Sequence, residues 1–240
     1  MGREETERAT QRTTNELIKN FDSSLRYFEQ ADVFGEPEQY ASHARTISLR
    51  RELGSASAAL ESDAFIDNVR HTLHWWDCDT RVSVLADQEM FRAELRRCER
   101  IVTSLESTCI DSVTESTIDQ IWRLIRFINI TLDRKTLQPT KSKLVCASKA
   151  FHHLLPELVV PIDRKYTGFF LLREPPMFQP PHEERTFRLA LQAFAAIAKA
   201  THPEQYIGRH RWHTSRTKVI DNAIVGFRAR FKRGGTGTFP

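Results

Sequence analysis

Glycine is scarce in this chain of 240 residues: there are nine, three of them in the terminal GGTG. No glycine-rich phosphate loop is present, which argues against a nucleotide-binding α/β fold. Apolar runs are short. The longest, LALQAFAAIAKA from Leu189 to Ala200, is too short and too rich in alanine to span a bilayer, so no transmembrane helix is predicted. The N-terminal MGREETERATQRTTNE is charged and has no apolar signal core, which predicts a cytoplasmic protein. Cysteine is sparse as well. Cys78, Cys98, Cys109 and Cys146 are scattered, without zinc-knuckle or iron–sulfur spacing, and predict reduced thiols with no metal and no cofactor.

What is present is ordinary globular material: 40% hydrophobic and 28% charged residues, enough to bury a core in one domain or two small ones. The net charge of +4 is unevenly placed. Residues 201–240 carry eight Lys and Arg against Glu204 and Asp221, a balance of +6, which leaves −2 for the other 200 residues. A basic end on a nearly neutral body points to a polyanion such as nucleic acid.

Apolar residues recur at helical spacing nearly throughout, which predicts an all-α fold of about nine helices. Leu17, Phe21, Leu25 and Phe28 mark the first, with Thr13, Thr14 and Asn15 as N-cap candidates. Tyr40 to Leu49 form a second that ends near Gly54. DAFIDNVRHTLHWW gives a third, capped by Asp63, and DQEMFRAELRRCERIVTSL a fourth. ESTIDQIWRLIRFINITL reads as a fifth, Lys143 to Leu155 as a sixth, and a seventh begins at Asp163. Glu183 to Ala200 and about Ser215 to Phe231 complete the set. REPPMFQPPHEE, with four prolines, predicts an extended loop. The expected organisation is a helical half over 1–110, a second half over 111–232 that ends in a basic helix, and a flexible tail over 233–240.

The segment KLVCASKAFHHLLPELVVPID, Lys143 to Asp163, concentrates the chemistry. On a helical wheel Leu144, Ala147, Ser148, Phe151, Leu154 and Leu155 share a core face, with Lys149, His153 and Cys146 opposite and His152 at the flank. Pro156 stops the helix, and Pro161 sets the backbone before Asp163. Two readings of Asp163 stand. It caps the next helix, or it is a fixed carboxylate that stabilises a developing cation.

LQPTKSKLVCASKAFHHLLPELVVPID resembles the signature end of the helix-hairpin-helix DNA glycosylases, in particular their 8-oxoguanine-glycosylase-like branch. Leu137 matches the hairpin leucine, Lys143 the catalytic lysine, Pro156 the proline after the helix, and Pro161-Ile162-Asp163 the Pro-x-Asp motif. Pro139 and Lys141 stand where the family has hairpin glycines, and Lys149 is a competing amine. The resemblance implies a helical fold that everts a nucleotide and breaks its glycosidic bond, in repair or in antiviral removal of hypermodified phage bases such as glucosylated hydroxymethylcytosine. Either a lysine attacks C1′ and forms a Schiff base, or water attacks and leaves an abasic site.

For such a reaction Asp163, Lys143 and Lys149 are the candidate catalytic groups. His152, His153, Trp75, Trp76 and Phe170 are candidates for the base pocket. Lys141, Arg164, Arg209, Arg211, Trp212, Arg216 and Lys218 are the candidate DNA contacts; in the last helix Arg216 and Lys218 are expected to point outward, with Ser215 as its cap. A monomer acting on duplex DNA is the expectation. The reading of another class is a non-catalytic helical DNA-binding or adaptor protein that uses the basic C-terminal face, with Asp163 as a cap alone.

Overall fold

The computed structural model describes residues 3–31, 33–172 and 178–233. The first part of the proline-rich segment, 173–177, and the tail at 234–240 lie outside the described residues. The fold is all-α. Among the described residues there are twelve α-helices: α1 (Arg3–Lys19), α2 (Phe21–Ala31), α3 (Pro37–Glu52), α4 (Ala56–Glu61), α5 (Asp63–Leu73), α6 (Gln88–Arg96), α7 (Glu99–Leu105), α8 (Glu115–Phe127), α9 (Leu144–Leu154), α10 (Thr167–Leu172), α11 (Glu183–Thr201) and α12 (Arg216–Arg233). None is long and apolar enough to cross a membrane.

Three helices beyond the expected nine have local causes. The apolar stripe from Leu17 to Phe28 is divided at Asn20, and the N-terminal part forms a helix of its own. Thr13 and Thr14 lie inside it rather than at its cap, and their hydroxyls bond back to Ala9 O and Thr10 O at 3.1 and 2.8 Å. Ser55 caps the short α4, accepting from Ala58 N at 3.1 Å. The expected fourth helix is divided at Arg97–Cys98 into α6 and α7. Ser62, not Asp63, caps α5, accepting from Phe65 N at 3.2 Å. Asp63 instead pairs with Arg92 and Arg96.

The expected fifth helix is too long. α8 stops at Phe127, and the β-branched run that follows extends into β2 (Thr131–Asp133). It pairs antiparallel with β1 (Ser83–Leu85), Val84 opposite Leu132. Pairing here satisfies backbone groups that a continued helix would have satisfied internally. Leu137, in the turn after β2, takes a left-handed φ of 55° and is 63% exposed.

One hydrophobic core crosses residue 110, joining Phe65 and Phe91 to Phe151, Phe194 and Phe227. α2 lies along α12 in the most extensive helix pair, closest at Gly226. α9 is buried on both faces, not on one, because α3, α5 and α8 surround it. Its N-terminus is held from outside. The buried carboxylate of Glu183 accepts from Ser142 Oγ at 2.7 Å and from the amides of Leu144 and Lys143, each at 3.1 Å. A carboxylate satisfies helix-start donors well. With Glu183 there, these amides are not open to a phosphate.

Candidate functional site

Ser148 on α9 brings the carboxylate to the helix: its Oγ accepts from Ile162 N at 3.0 Å, which lays the segment 161–163 along α9. Asp163 does cap, but through a turn that precedes α10. Its Oδ1 accepts from Tyr166 N at 2.5 Å, and its own amide donates to Thr167 Oγ1 at 3.2 Å. It also lines a cavity of about 270 Å³, whose walls include Phe34, Trp76, Tyr166 and Trp212 and whose polar groups include Lys149, Lys218 and Asp221. That volume is just below the range of about 300–1,000 Å³ usual for small-molecule sites, the scale of a single planar ring system.

A second, wider groove of about 710 Å³ runs past β1, β2 and the segment 136–142. It carries Lys141 and Arg164, and it shares Asp77, Lys149, Asp163 and Lys165 with the aromatic cavity. The predicted amine and carboxylate therefore stand where the two spaces meet.

Lys149 is almost fully buried, and its Nζ donates to Trp76 O at 2.6 Å. Burial works to lower its pKa, but Cys78, Asp163, Cys146 and Asp77 outweigh burial and raise it. The carbonyl is free because the chain leaves helical geometry there: His74–Cys78 forms a wide turn in which Asp77 adopts φ 57°, ψ 33°. Non-glycine residues in the left-handed region are uncommon and often sit at functional sites. The same turn brings Cys78 against Cys146, 68 residues away in sequence, with Cys146 Sγ 4.0 Å from Cys78 O. Burial works to raise the Cys78 thiol, yet Cys146 and the Lys149 ammonium together bring it below its ordinary value.

Behind Trp76 lies a buried histidine cluster. His153 Nδ1–H donates to Lys149 O at 2.8 Å, so its Nε2 accepts from His43 Nδ1–H at 3.1 Å. His43 Nε2 in turn accepts from Thr214 Oγ1 at 2.8 Å. His152 Nδ1–H donates to Val159 O at 2.9 Å, and its Nε2 has no partner among the described residues. His153 can accept from His43 in this way only as a neutral ring. Burial, reinforced by neighbouring cations and histidines, depresses His43 and His152 well below 6.5 and brings His153 to about 4.

The sign follows. The unfolded chain binds protons near pH 6.5 and the folded one does not, so stability is full above that pH and falls as the pH drops toward about 4. Each histidine contributes up to about 1.4 kcal/mol per pH unit. Urea unfolding at a series of pH values is expected to show the loss between 6.5 and 4, and to show it reduced by His153→Asn.

Several predicted positions lie elsewhere. Lys143 Nζ donates to Asn129 Oδ1 at 2.7 Å and to Arg126 O at 3.0 Å, and it reaches neither cavity nor groove. His152 and His153 support Trp76 from behind instead of lining the cavity. Trp75 packs on His71 and His74, and Phe170 is core, between Phe194 and Phe227. Trp212 is 3% exposed and walls the cavity rather than reaching outward.

Of the C-terminal cations, Lys218 is buried, not outward, and lines the cavity. Arg216 faces Asp111 at 3.2 Å and Glu157 at 3.5 Å. Ser215 caps α12 as expected, accepting from Lys218 N at 3.2 Å. Arg209 and Arg211 are exposed, over the rings of Tyr206 and Tyr40, and line neither space. Sequence reasoning missed Phe34, His43, Asp77, Tyr166 and Asp221. The one local signal among them is Asp221, three residues from Lys218 on a helix and thus on the same side. No protein-family model, no curated protein and no solved structure matches the chain.

Proposed function

We propose that this chain is a DNA glycosylase that removes a damaged or modified base, the aromatic cavity receiving the everted base and the wider groove the strand. The observation that carries this reading is the position of Lys149 and Asp163 on the boundary shared by the two spaces. A base enters the cavity between aromatic faces, its sugar lies at the boundary, and the backbone runs past Lys141, Arg164 and Lys165 in the groove. Asp163 faces the sugar as positive charge develops on it, and it orients water toward C1′.

Lys149 acts on the leaving base. Its raised pKa and its hydrogen bond to Trp76 O keep the ammonium protonated, so it is a poor nucleophile and a charged hydrogen-bond donor that steadies negative charge on a departing ring nitrogen. Hydrolysis to an abasic site is the reaction this supports: the glycosidic bond breaks, the Lys149 ammonium steadies the departing base, water supplies hydroxide to C1′, and the proton that water gives up ends on the base. The adaptor alternative keeps only part of its basic C-terminal face, Arg209 and Arg211 being exposed while Lys218 is buried and Arg216 is bound by acids.

Borohydride added to protein and abasic DNA is expected to trap no covalent adduct, and strand breaks are expected only after alkali. Lys149→Met is expected to lower excision by about 10²-fold or more, and Lys143→Ala to leave it within about twofold. A trapped adduct that disappears in Lys149→Met would replace water with the amine as nucleophile.

A further inference from the structure

Cys78 and Cys146 take no part in the reaction proposed above, but they meet at its edge. The wide turn at His74–Cys78 carries one and α9 carries the other. Cys146 Sγ lies 4.0 Å from Cys78 O, and the two thiols are hydrogen-bonded to each other. Cys78 is fully buried, whereas Cys146 is half-buried and lines the groove. The other thiols point elsewhere: Cys98 Sγ donates to Glu94 O at 3.4 Å, and Cys109 stands at the start of the turn Ile110–Ser112, beside Arg216 and Asp111. Charge singles out the same pair. Against burial, the hydrogen bond from Cys146 and the Lys149 ammonium hold the Cys78 thiol below its ordinary range, and Lys149 and Arg164 also face Cys146. Sulfur beside cations is the reactive form of cysteine.

We propose that Cys78 and Cys146 form a reversible disulfide when a hydroperoxide enters the groove, Cys146 being oxidised first and Cys78 resolving it. Cys146 is the sulfur that the groove reaches. A proton passes from Cys146 to Cys78 along their hydrogen bond, and Cys146 Sγ attacks one peroxide oxygen. The O–O bond breaks, which leaves a sulfenic acid and hydroxide. The hydroxide takes the proton now on Cys78 and departs as water. Cys78 Sγ then attacks the sulfenic sulfur and displaces a second hydroxide, to which solvent returns a proton. Two electrons pass from the sulfurs to the peroxide, and two waters leave. The bond ties the turn that bears Trp76, a wall of the aromatic cavity, to α9 one helical turn before Lys149.

Equimolar hydrogen peroxide added to the folded full chain tests this. Of four free thiols, two are expected to remain for maleimide labelling. Peptide mass mapping is expected to show Cys78 linked to Cys146, and dithiothreitol to undo the link. Because the cross-link joins residues 68 apart, it restricts the unfolded chain, and the melting temperature is expected to rise by about 5 °C until dithiothreitol is added. In Cys78→Ser, peroxide followed by dimedone is expected to label Cys146; in Cys146→Ser, labelling of Cys78 is expected to be at least about tenfold weaker. If either variant does not fold, the wild-type peptide map and melting decide. Four thiols left free, a link through Cys98 or Cys109, or an oxidised protein that melts no higher than the reduced one overturns the proposal. Stronger labelling at Cys78 than at Cys146 overturns the order of attack. This chemistry needs no nucleic acid, so a protein that excises no base can still form the link, and one that never forms it can still excise.

Discussion

Asp163→Asn is expected to leave the fold intact while lowering base excision by about 10²–10³-fold. The two consequences separate because the side chain does two things. Its Oδ1 accepts from Tyr166 N, and an asparagine carbonyl oxygen accepts from the same amide with nearly the same geometry. The charge is what asparagine cannot replace, and an oxocarbenium-like sugar needs charge at the boundary where Asp163 and Lys149 stand. The measurement is the yield of alkali-labile sites in a duplex carrying 8-oxoguanine and in DNA carrying glucosylated hydroxymethylcytosine, with the melting temperature of both proteins alongside. Equal cleavage by the variant would reduce Asp163 to a cap. Wild-type protein that leaves every such substrate intact counts against the glycosylase reading itself.

Gly226→Ala is expected to destabilise the fold by about 3 kcal/mol. Two effects oppose each other, and their sizes settle the sign. Alanine is the better helix former by about 1 kcal/mol, so in an isolated α12 the change would help. In the packed protein a Cβ at 226 would lie 1.9 Å from Ser24 O and 2.9 Å from both Phe28 N and Ser24 C. All three atoms are backbone of α2, so no side-chain rotation relieves the clash, and the helix pair has to separate. Phe28 and Phe227 are buried beside this contact and would lose packing as it opens. Urea unfolding of both proteins measures the difference, and a neutral or stabilising result would mean that α2 and α12 do not pack at this distance.

Much of the helical framework was legible from residue spacing. Apolar residues at three- and four-residue steps placed α5, α9, α11 and α12 within a few residues, and the start of α8, because burial along one stripe leaves that trace in any amphipathic helix. The misplacements have a common cause. Asn20 and the Arg97–Cys98 step interrupt helices and Ser55 starts one, through local geometry that hydropathy does not record, and Ile128 to Thr131 suits helix and strand spacing equally until β1 pairs with it. α9 is the exception to the wheel argument. Lys149, His152 and His153 looked like the face opposite the core, but α3 and the turn at Trp76 cover them, and among their partners Trp76 O for Lys149, Thr217 for His152 and His43 for His153 lie far away in sequence.

The candidate site divides in the same way. Its amine and its carboxylate sit within one stretch of chain, Lys149 to Asp163, so a local motif was enough to suggest them. Its walls come from the α2–α3 connection, the turn after α5, and α12, and no local pattern relates these.

The order of residues by itself determined an all-α framework, a basic C-terminal end and an acid held behind a proline, since each depends on spacing or composition within one segment. Tertiary packing alone decided that Lys149 rather than Lys143 meets that acid, and that Lys218 turns inward to Asp221 among three aromatic rings. The physical reason is that burial of a charge is a property of what surrounds it: whether an ammonium faces water or an enclosed cavity depends on helices brought together from opposite ends of the chain.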